Sequence, residues 1–594
     1  MIKIIKRINL LLVSPLVCGA IVFSSVVSAK ELPAGGQIVP YSPALTQLKK
    51  KNDFSDIQKV TLSNDKYLDV LDINVHKPSP KIWGIQVPFK FENAKVEVGD
   101  NILFKIVARS VSSNIADGNV GQMDLFFKYT RRGKPVVIKR LMLSQEWQTF
   151  YIPQNVYRGP STTDMQLALL LGGLPEQHIQ IAELELVNYK DKVDAASLPM
   201  TKVKYFGSEA DAPWRDEAEL QISKHRKADF MVKLTDQNNQ PIIDAVIDVE
   251  LSKHDYNFGC GLNAAQLFSV NKQVSAEEQS LRLAQTEKMC NMVTINNSLK
   301  WRHYNEDRVT KAMAWLLERD IKVRGHALIW GRFRSAHKDV EKKEDYYREH
   351  PEEFQQELIK HIKEFAAFYP EQITEWDVIN EPAPEKHFVD ILGKEATLDW
   401  FKAAREANPE ASLCANDYAI ISRYDTWHQD AYYDWVKYFN DNKAIDRVCV
   451  QGHFQGPMPI SEIKQRLDRF AEFGLPIVLT EFDFFEIDEE LKAQFTKDLI
   501  TMFFAHPSTD GFIHWNLSDL YGDNGELNLS GQVYDKLIHQ TWHTKASLKT
   551  NNKGQLSFNG FKGKYNLKIK MANGKTINQL VELTDSDLVN VKLN

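Results

Sequence analysis

Cysteine is scarce in this chain: five residues in 594, widely spaced and never in a Cys-x-x-Cys pair. That excludes the usual structural zinc sites. No dense basic stripe is present either. The formal charge is −6 and the longest basic run is Lys49-Lys50-Lys51, so nucleic acid is not an expected partner. Internal repeats and low-complexity tracts are missing, so the chain is not a repeat array. Beyond the N-terminal segment no apolar run reaches spanning length, and no membrane span is expected in the mature chain.

What is present begins with that N-terminal segment. Lys3, Lys6 and Arg7 precede an apolar stretch from Leu10 to Val27 that ends in Val27-Ser28-Ala29. Residues 1–29 therefore read as a signal peptide, with a secreted, periplasmic or cell-surface mature chain. The competing reading is a membrane anchor, against which Ser14, Pro15 and Gly19 interrupt the run. A lipid on Cys18 would want a smaller residue than Val17 before it. Of the other cysteines, Cys414 and Cys449 sit in apolar, strand-like runs and are expected as small core residues. A Cys260–Cys290 bridge is an open possibility.

The hydrophobic (43%) and charged (26%) shares are those of a globular protein, and 594 residues need several domains. Residues 30–59 read as a linker. From 60 to 190, period-two runs such as Trp83-Gly-Ile-Gln-Val-Pro-Phe and Met123-Asp-Leu-Phe-Phe-Lys-Tyr alternate with turn residues, the pattern of an antiparallel β-sandwich. Trp83, Phe126 and Trp147 are expected in its core. Residues 215–255 read as an accessory β-hairpin, two strands around the turn Asp236–Pro241. Residues 546–594 read as accessory β-strands, with Asn559-Gly560 and Asn573-Gly574 as hairpin turns.

Between these lies a strand–loop–helix rhythm over 256–545. Short buried strands are predicted to start near Tyr256, Met292, Lys322, Ile373, Ser412, Val448, Pro476 and Gly511. Helical periodicity fills the gaps, as at Ala276–Met289, Tyr346–Phe368 and Glu489–Phe504. Eight such repeats predict a (β/α)8 barrel, an α/β fold with chemistry at the carboxyl ends of its strands; a doubly wound open sheet is the alternative. Two apolar runs end in carboxylates: Trp376-Asp-Val-Ile-Asn380-Glu381-Pro382, and Leu475-Pro-Ile-Val-Leu-Thr-Glu481-Phe-Asp483. Across one pocket, about 5 to 5.5 Å apart, such a pair would cleave a glycosidic bond by double displacement. No cofactor and no metal are expected.

With these residues in view, the barrel resembles glycoside hydrolase family 10, the retaining endo-β-1,4-xylanases. The resemblance implies Glu381 as acid/base and Glu481 as nucleophile. It implies support from Asn380, His453 and Asp483, with Asn380 bonding the sugar's 2-hydroxyl. Asn297, Lys300, Trp301, His326, Trp330, Gln451 and Trp515 would bind substrate, Trp330 and Trp515 by stacking. Asn416-Asp417-Tyr418 matches strand five and is expected to brace the strand ends. The sequence departs from the family at Asn296, where a glutamate is usual, at Gly331, where a histidine is usual, and after Trp515. A stretch around Glu146-Trp147 resembles jelly-roll carbohydrate-binding modules. The expected function is a monomeric, secreted endo-β-glycanase acting on xylan or another plant or algal β-linked polysaccharide. A non-catalytic glycan-binding barrel is the competing reading.

Overall fold

The computed structural model describes residues 32–593 except 43–49, 92–93, 115–119, 130–134, 157–163, 270–273, 424–425, 485, 487, 523, 572–573, 585 and 587. The signal segment, Cys18 and Asn573 lie outside the described residues.

The strand–helix rhythm closes into a parallel barrel. Strands one to eight are Asn257–Leu262, Met292–Ile295, Lys322–Gly325, Ile373–Asn380, Ser412–Asp417, Val448–Val450, Ile477–Phe484 and Thr509–His514. Each pairs with its neighbour, strand one pairs with strand eight, and strand three with strand four, so no edge is left. Every residue of strand seven is buried. A strand covered by side chains inside the barrel and helices outside has no solvent face to mark with polar residues, hence the continuous apolar run in sequence.

The helices follow their local signals. Ala276–Met289 starts at Ser275, whose side chain accepts from the Glu278 amide. The single helix expected over Tyr346–Phe368 is instead two, Glu344–Glu349 and Pro351–Ala366. The cause is Pro351, which disfavours helical backbone at His350 and supplies a good first residue for a new helix. Phe354, Leu358, Ile362 and Phe365 of that helix then face the barrel.

The expected hairpin over 215–255 does not form. Its first part is a helix, Trp214–Arg226, and its two strands enter different sheets. Lys227–Thr235 pairs with Gln555–Phe561 and Leu588–Lys592, while Val246–His254 pairs with Lys545–Lys549 and Gly563–Lys570. Alternation reports that a segment is a strand but not which partner it takes, and the C-terminal strands outcompete the local one. Asn559-Gly560 likewise lies inside the strand Gln555–Phe561. The second turn signal does fall in a hairpin, where Gly574 has φ +85° between Gly563–Lys570 and Thr576–Leu583. Arg226 clamps this accessory layer to the barrel by donating to the carbonyls of Phe504, His506 and Thr509.

The N-terminal region is a β-sandwich. A seven-stranded and a four-stranded antiparallel sheet enclose Phe89, Phe91, Phe104 and Phe127. The three aromatic residues expected in its core lie elsewhere. Trp83 is 49% exposed. Phe126 alternates outward between buried Leu125 and Phe127. Trp147 is half-buried at the rim, donating to Asp65 at 2.7 Å beneath the Arg109 guanidinium. The sandwich packs beside the carboxyl ends of the barrel strands. Lys139 makes a buried ion pair with Glu486 after strand seven, and the Pro80 carbonyl accepts from the Trp427 amide after strand five.

Both disulfides are formed, Cys260–Cys290 and Cys414–Cys449. The second overturns the expectation of two free core thiols. Strands five and six are neighbours, and their pairing sets the two Cα atoms 6.1 Å apart. Among the described residues no helix is long and apolar enough to cross a membrane.

Candidate active site

Strands four and seven deliver Glu381 and Glu481 into one cavity of ≈ 360 Å³, which Lys300, His326, Trp330, Asn380, Tyr418, Gln451, His453 and Trp515 also line. Glu381 stands just past strand four with φ +56°, a left-handed conformation rare for a residue with a side chain. The turn is held by contacts around it: the Glu381 amide donates to Asn416 O at 2.7 Å, and the Ala383 amide to Asp417 Oδ2 at 2.9 Å. Local strain of about 1–3 kcal/mol persists at such positions only when the surroundings fix it.

The environments of the two carboxyls differ. The Glu381 carboxyl is reached by the Trp330 indole N–H at 3.0 Å and by the Gln451 amide at 3.5 Å. Burial, then the negative charges of Asp417 and Glu481, push it up to about 7. Glu481 accepts from Asn416 Nδ2 at 3.0 Å and lies 3.2 Å from His453 Nε2. Burial opposes its ionisation, but His326, His453 and Lys300 outweigh that and hold it down to about 2. His453 in turn has Nδ1 2.9 Å from Asp483. Burial works against its charge, yet the carboxylates of Asp483 and Glu481 push it up to about 10. One cavity thus holds a carboxyl that keeps its proton up to about pH 7 beside one that is ionised well below it, the pairing a donor and a nucleophile need.

Other expected residues fall into place unevenly. Asn380 and Gln451 are buried and bonded to each other at 3.3 Å. Lys300 sits over the rings of Trp330 and Trp515, 5.0 and 5.5 Å from their centroids. Trp515 faces His326 and His453 edge-on. Trp330 is not open for stacking in the way expected: the Arg332 guanidinium covers its ring at 3.6 Å. Trp301 has one face against His361, 3.9 Å away. Asn297 is exposed on the turn after strand two and outside the cavity lining. Its neighbour Asn296 is buried and donates to the Trp515 carbonyl, tying strand two to strand eight.

The sequence reading missed what lies under the cavity. Asp510, Arg447, Glu375, Arg324, Asp377 and His326 form a file of alternating charge inside the barrel that ends at Glu481. Arg324 donates to Glu375 at 2.5 Å and to Asp377, and His326 Nδ1 meets Asp377 at 2.6 Å. The signal was available: charged residues at 324, 375 and 377 interrupt strands that are otherwise apolar. Asn416 was also underrated, since it touches Glu481 directly.

Residues 252–543 match the family model described as glycosyl hydrolase family 10. Among curated proteins, the chain is 24% identical over 401 residues to an anti-sigma-I factor RsgI6 of Acetivibrio thermocellus, covering 62% of this chain and 48% of that protein. It is 24% identical over 388 residues to an endo-1,4-beta-xylanase 5 of Arabidopsis thaliana, covering 60% and 63%. The chain therefore spans about half to two thirds of the length of these relatives. Among solved structures, a xylanase 10B from Thermotoga petrophila in complex with xylobiose aligns at TM-score 0.42 and 19% identity, over 48% of this chain and 95% of that one. The family model covers the closed barrel and includes both strand-end glutamates, so residues 252–543 are a glycosyl hydrolase family 10 domain.

Proposed function

We propose that the chain is an exported, retaining endo-β-1,4-glycanase acting on xylan or a related β-linked polysaccharide. The observation that carries this is the shared cavity in which Glu481 is held ionised and Glu381 protonated. Glu481 attacks the anomeric carbon while Glu381 donates its proton to the leaving oxygen. The glycosidic C–O bond breaks and an ester to Glu481 forms. Glu381, now a carboxylate, takes a proton from water, whose oxygen displaces Glu481 and regenerates both groups. Asn416 and His453 hold the nucleophile, and Trp330 and Gln451 orient the acid. Export is supported by the N-terminal sequence segment and by two disulfides, which persist in oxidising compartments.

Purified protein is expected to release reducing ends from at least one of xylan, mixed-linkage β-glucan and algal β-glycans. Proton NMR of the first product from a short oligosaccharide should show the anomer of the substrate, since two displacements restore configuration. Initial appearance of the opposite anomer would rule out a nucleophilic Glu481.

The sandwich enters the proposal as a glycan-binding surface. Exposed Trp83 stands beside Lys81, whose ammonium also lies 5.7 Å from the Trp427 ring at the barrel's strand-end face. Trp83→Ala is expected to weaken pull-down by insoluble glycan about tenfold, one lost stacking contact of about 1–1.5 kcal/mol. Unchanged retention would leave the sandwich a purely structural role.

A further inference from the structure

A second cavity, ≈ 370 Å³, adjoins the first and shares Lys300 and Trp330 with it. A polymer threaded past the two glutamates would continue into it. Its lining carries Lys300, Arg302, His303, Arg332 and Arg334 and no aspartate or glutamate. The carboxylates that partner these cations lie behind the wall: Glu341 binds Arg302, and Glu385 is shared by Arg332 and Arg334. Arg302, Arg332 and Arg334 thus share two carboxylates behind the wall, while Lys300, which makes no ion pair among the described residues, is drawn toward Glu481 and Glu381 of the adjoining cavity.

The wall is built rather than incidental. Arg332 is fixed from three directions, by Glu385, by Ser335 Oγ at 2.7 Å and by the Trp330 ring. That arrangement depends on Gly331, where a Cβ would sit 2.4 Å from the Glu385 carbonyl oxygen. Any side chain there would push the loop, and Arg332 with it, off Glu385.

Lysine and arginine donate hydrogen bonds and cannot accept them. A neutral sugar offers hydroxyls that need acceptors as well as donors, and only His303 and Ser335 could supply them among the polar side chains here. A carboxylate or sulfate only accepts, and guanidinium groups match both in geometry and charge. We propose that this cavity is a subsite for an anionic substituent, a uronic-acid carboxylate or a sulfate ester, and that the substrate is an acidic β-glycan. The inference rests on the glycanase reading above and names its substrate class.

The test uses the Glu481→Ala protein, which cannot turn over its ligand, and calorimetric titration with three sets of oligosaccharides: undecorated xylo-oligosaccharides, uronic-acid-substituted ones and sulfated ones. At least one acidic set is expected to bind about tenfold tighter than the neutral set, the scale of one charge-assisted contact. The preference should shrink as salt rises from about 0.1 M to about 1 M. Arg334, whose side chain is 72% exposed, can be changed without disturbing the fold. Arg334→Glu in the same background should bring the ratio of acidic to neutral affinity close to one. Which acidic set wins separates carboxylate from sulfate. Neutral oligosaccharides binding as tightly as both acidic sets would overturn the proposal while leaving the glycanase reading intact. Binding of none of the three would overturn both.

Discussion

Glu481→Ala is expected to lower glycan hydrolysis by on the order of 10⁵-fold, because without the attacking carboxylate no covalent intermediate forms. The change leaves His453, still paired with Asp483, and Lys300 with one carboxylate fewer, so circular dichroism of the variant should accompany the assay to show that the fold survives. Glu381→Ala should cost less, about 10²–10⁴-fold, the usual worth of a proton donor. That loss should shrink on aryl glycosides whose leaving group needs no proton. The two variants are therefore separable by leaving group, and a Glu481→Ala protein that retains wild-type turnover would remove the assignment. The same pair sets the pH dependence. Activity needs Glu481 ionised and Glu381 protonated, so it should fall as pH rises through about 7 and as pH drops toward about 2. Because the groups interact, the two limbs belong to the pair. Once Glu481 is esterified its negative charge is gone, and the Glu381 carboxyl should titrate lower. The relief is partial, since burial and Asp417 contribute more to its elevation than Glu481 does. A rate profile rising steadily up to pH 9 or so would contradict this assignment.

Arg324→Ala is expected to destabilise the barrel by about 3–5 kcal/mol, the penalty for stranding buried carboxylates. Arg324, Glu375 and Asp377 are all essentially inaccessible to water. With the guanidinium gone, neither Glu375 nor Asp377 can recruit solvent in compensation, although Arg447 still reaches Glu375 at 2.9 Å. Equilibrium denaturation of the wild type and variant would measure the loss. The double change of Arg324 and Asp377 to apolar residues should recover much of it, because an uncompensated charge is costlier than a missing pair. A loss under about 1 kcal/mol in the single variant would mean that the file of charges is not coupled as drawn. Function should follow, for Asp377 orients His326 and His326 contributes to holding Glu481 ionised.

Legibility in the sequence tracked the range of the interaction concerned. All eight barrel strands and the helix Ala276–Met289 were legible because apolar periodicity and capping act over a few residues. The hairpin expected over 215–255 failed for the converse reason. Lys227–Thr235 and Val246–His254 alternate well, yet their partners lie about 300 positions away in the C-terminal strands. Trp83 shows the same limit on a single side chain, since aromatic residues suit a core and an exposed platform equally and only the packed sheets decide. Trp330 was read as a stacking surface, a role that Arg332 occupies two positions on.

By itself the sequence determined the barrel and the carboxylates at two of its strand ends, since these follow from local pattern and from side-chain chemistry. Only the tertiary structure decided what surrounds each carboxyl, which cysteines pair and where the arginines gather. Those outcomes depend on burial and on distances between residues far apart in the chain, and a linear order of residues carries neither.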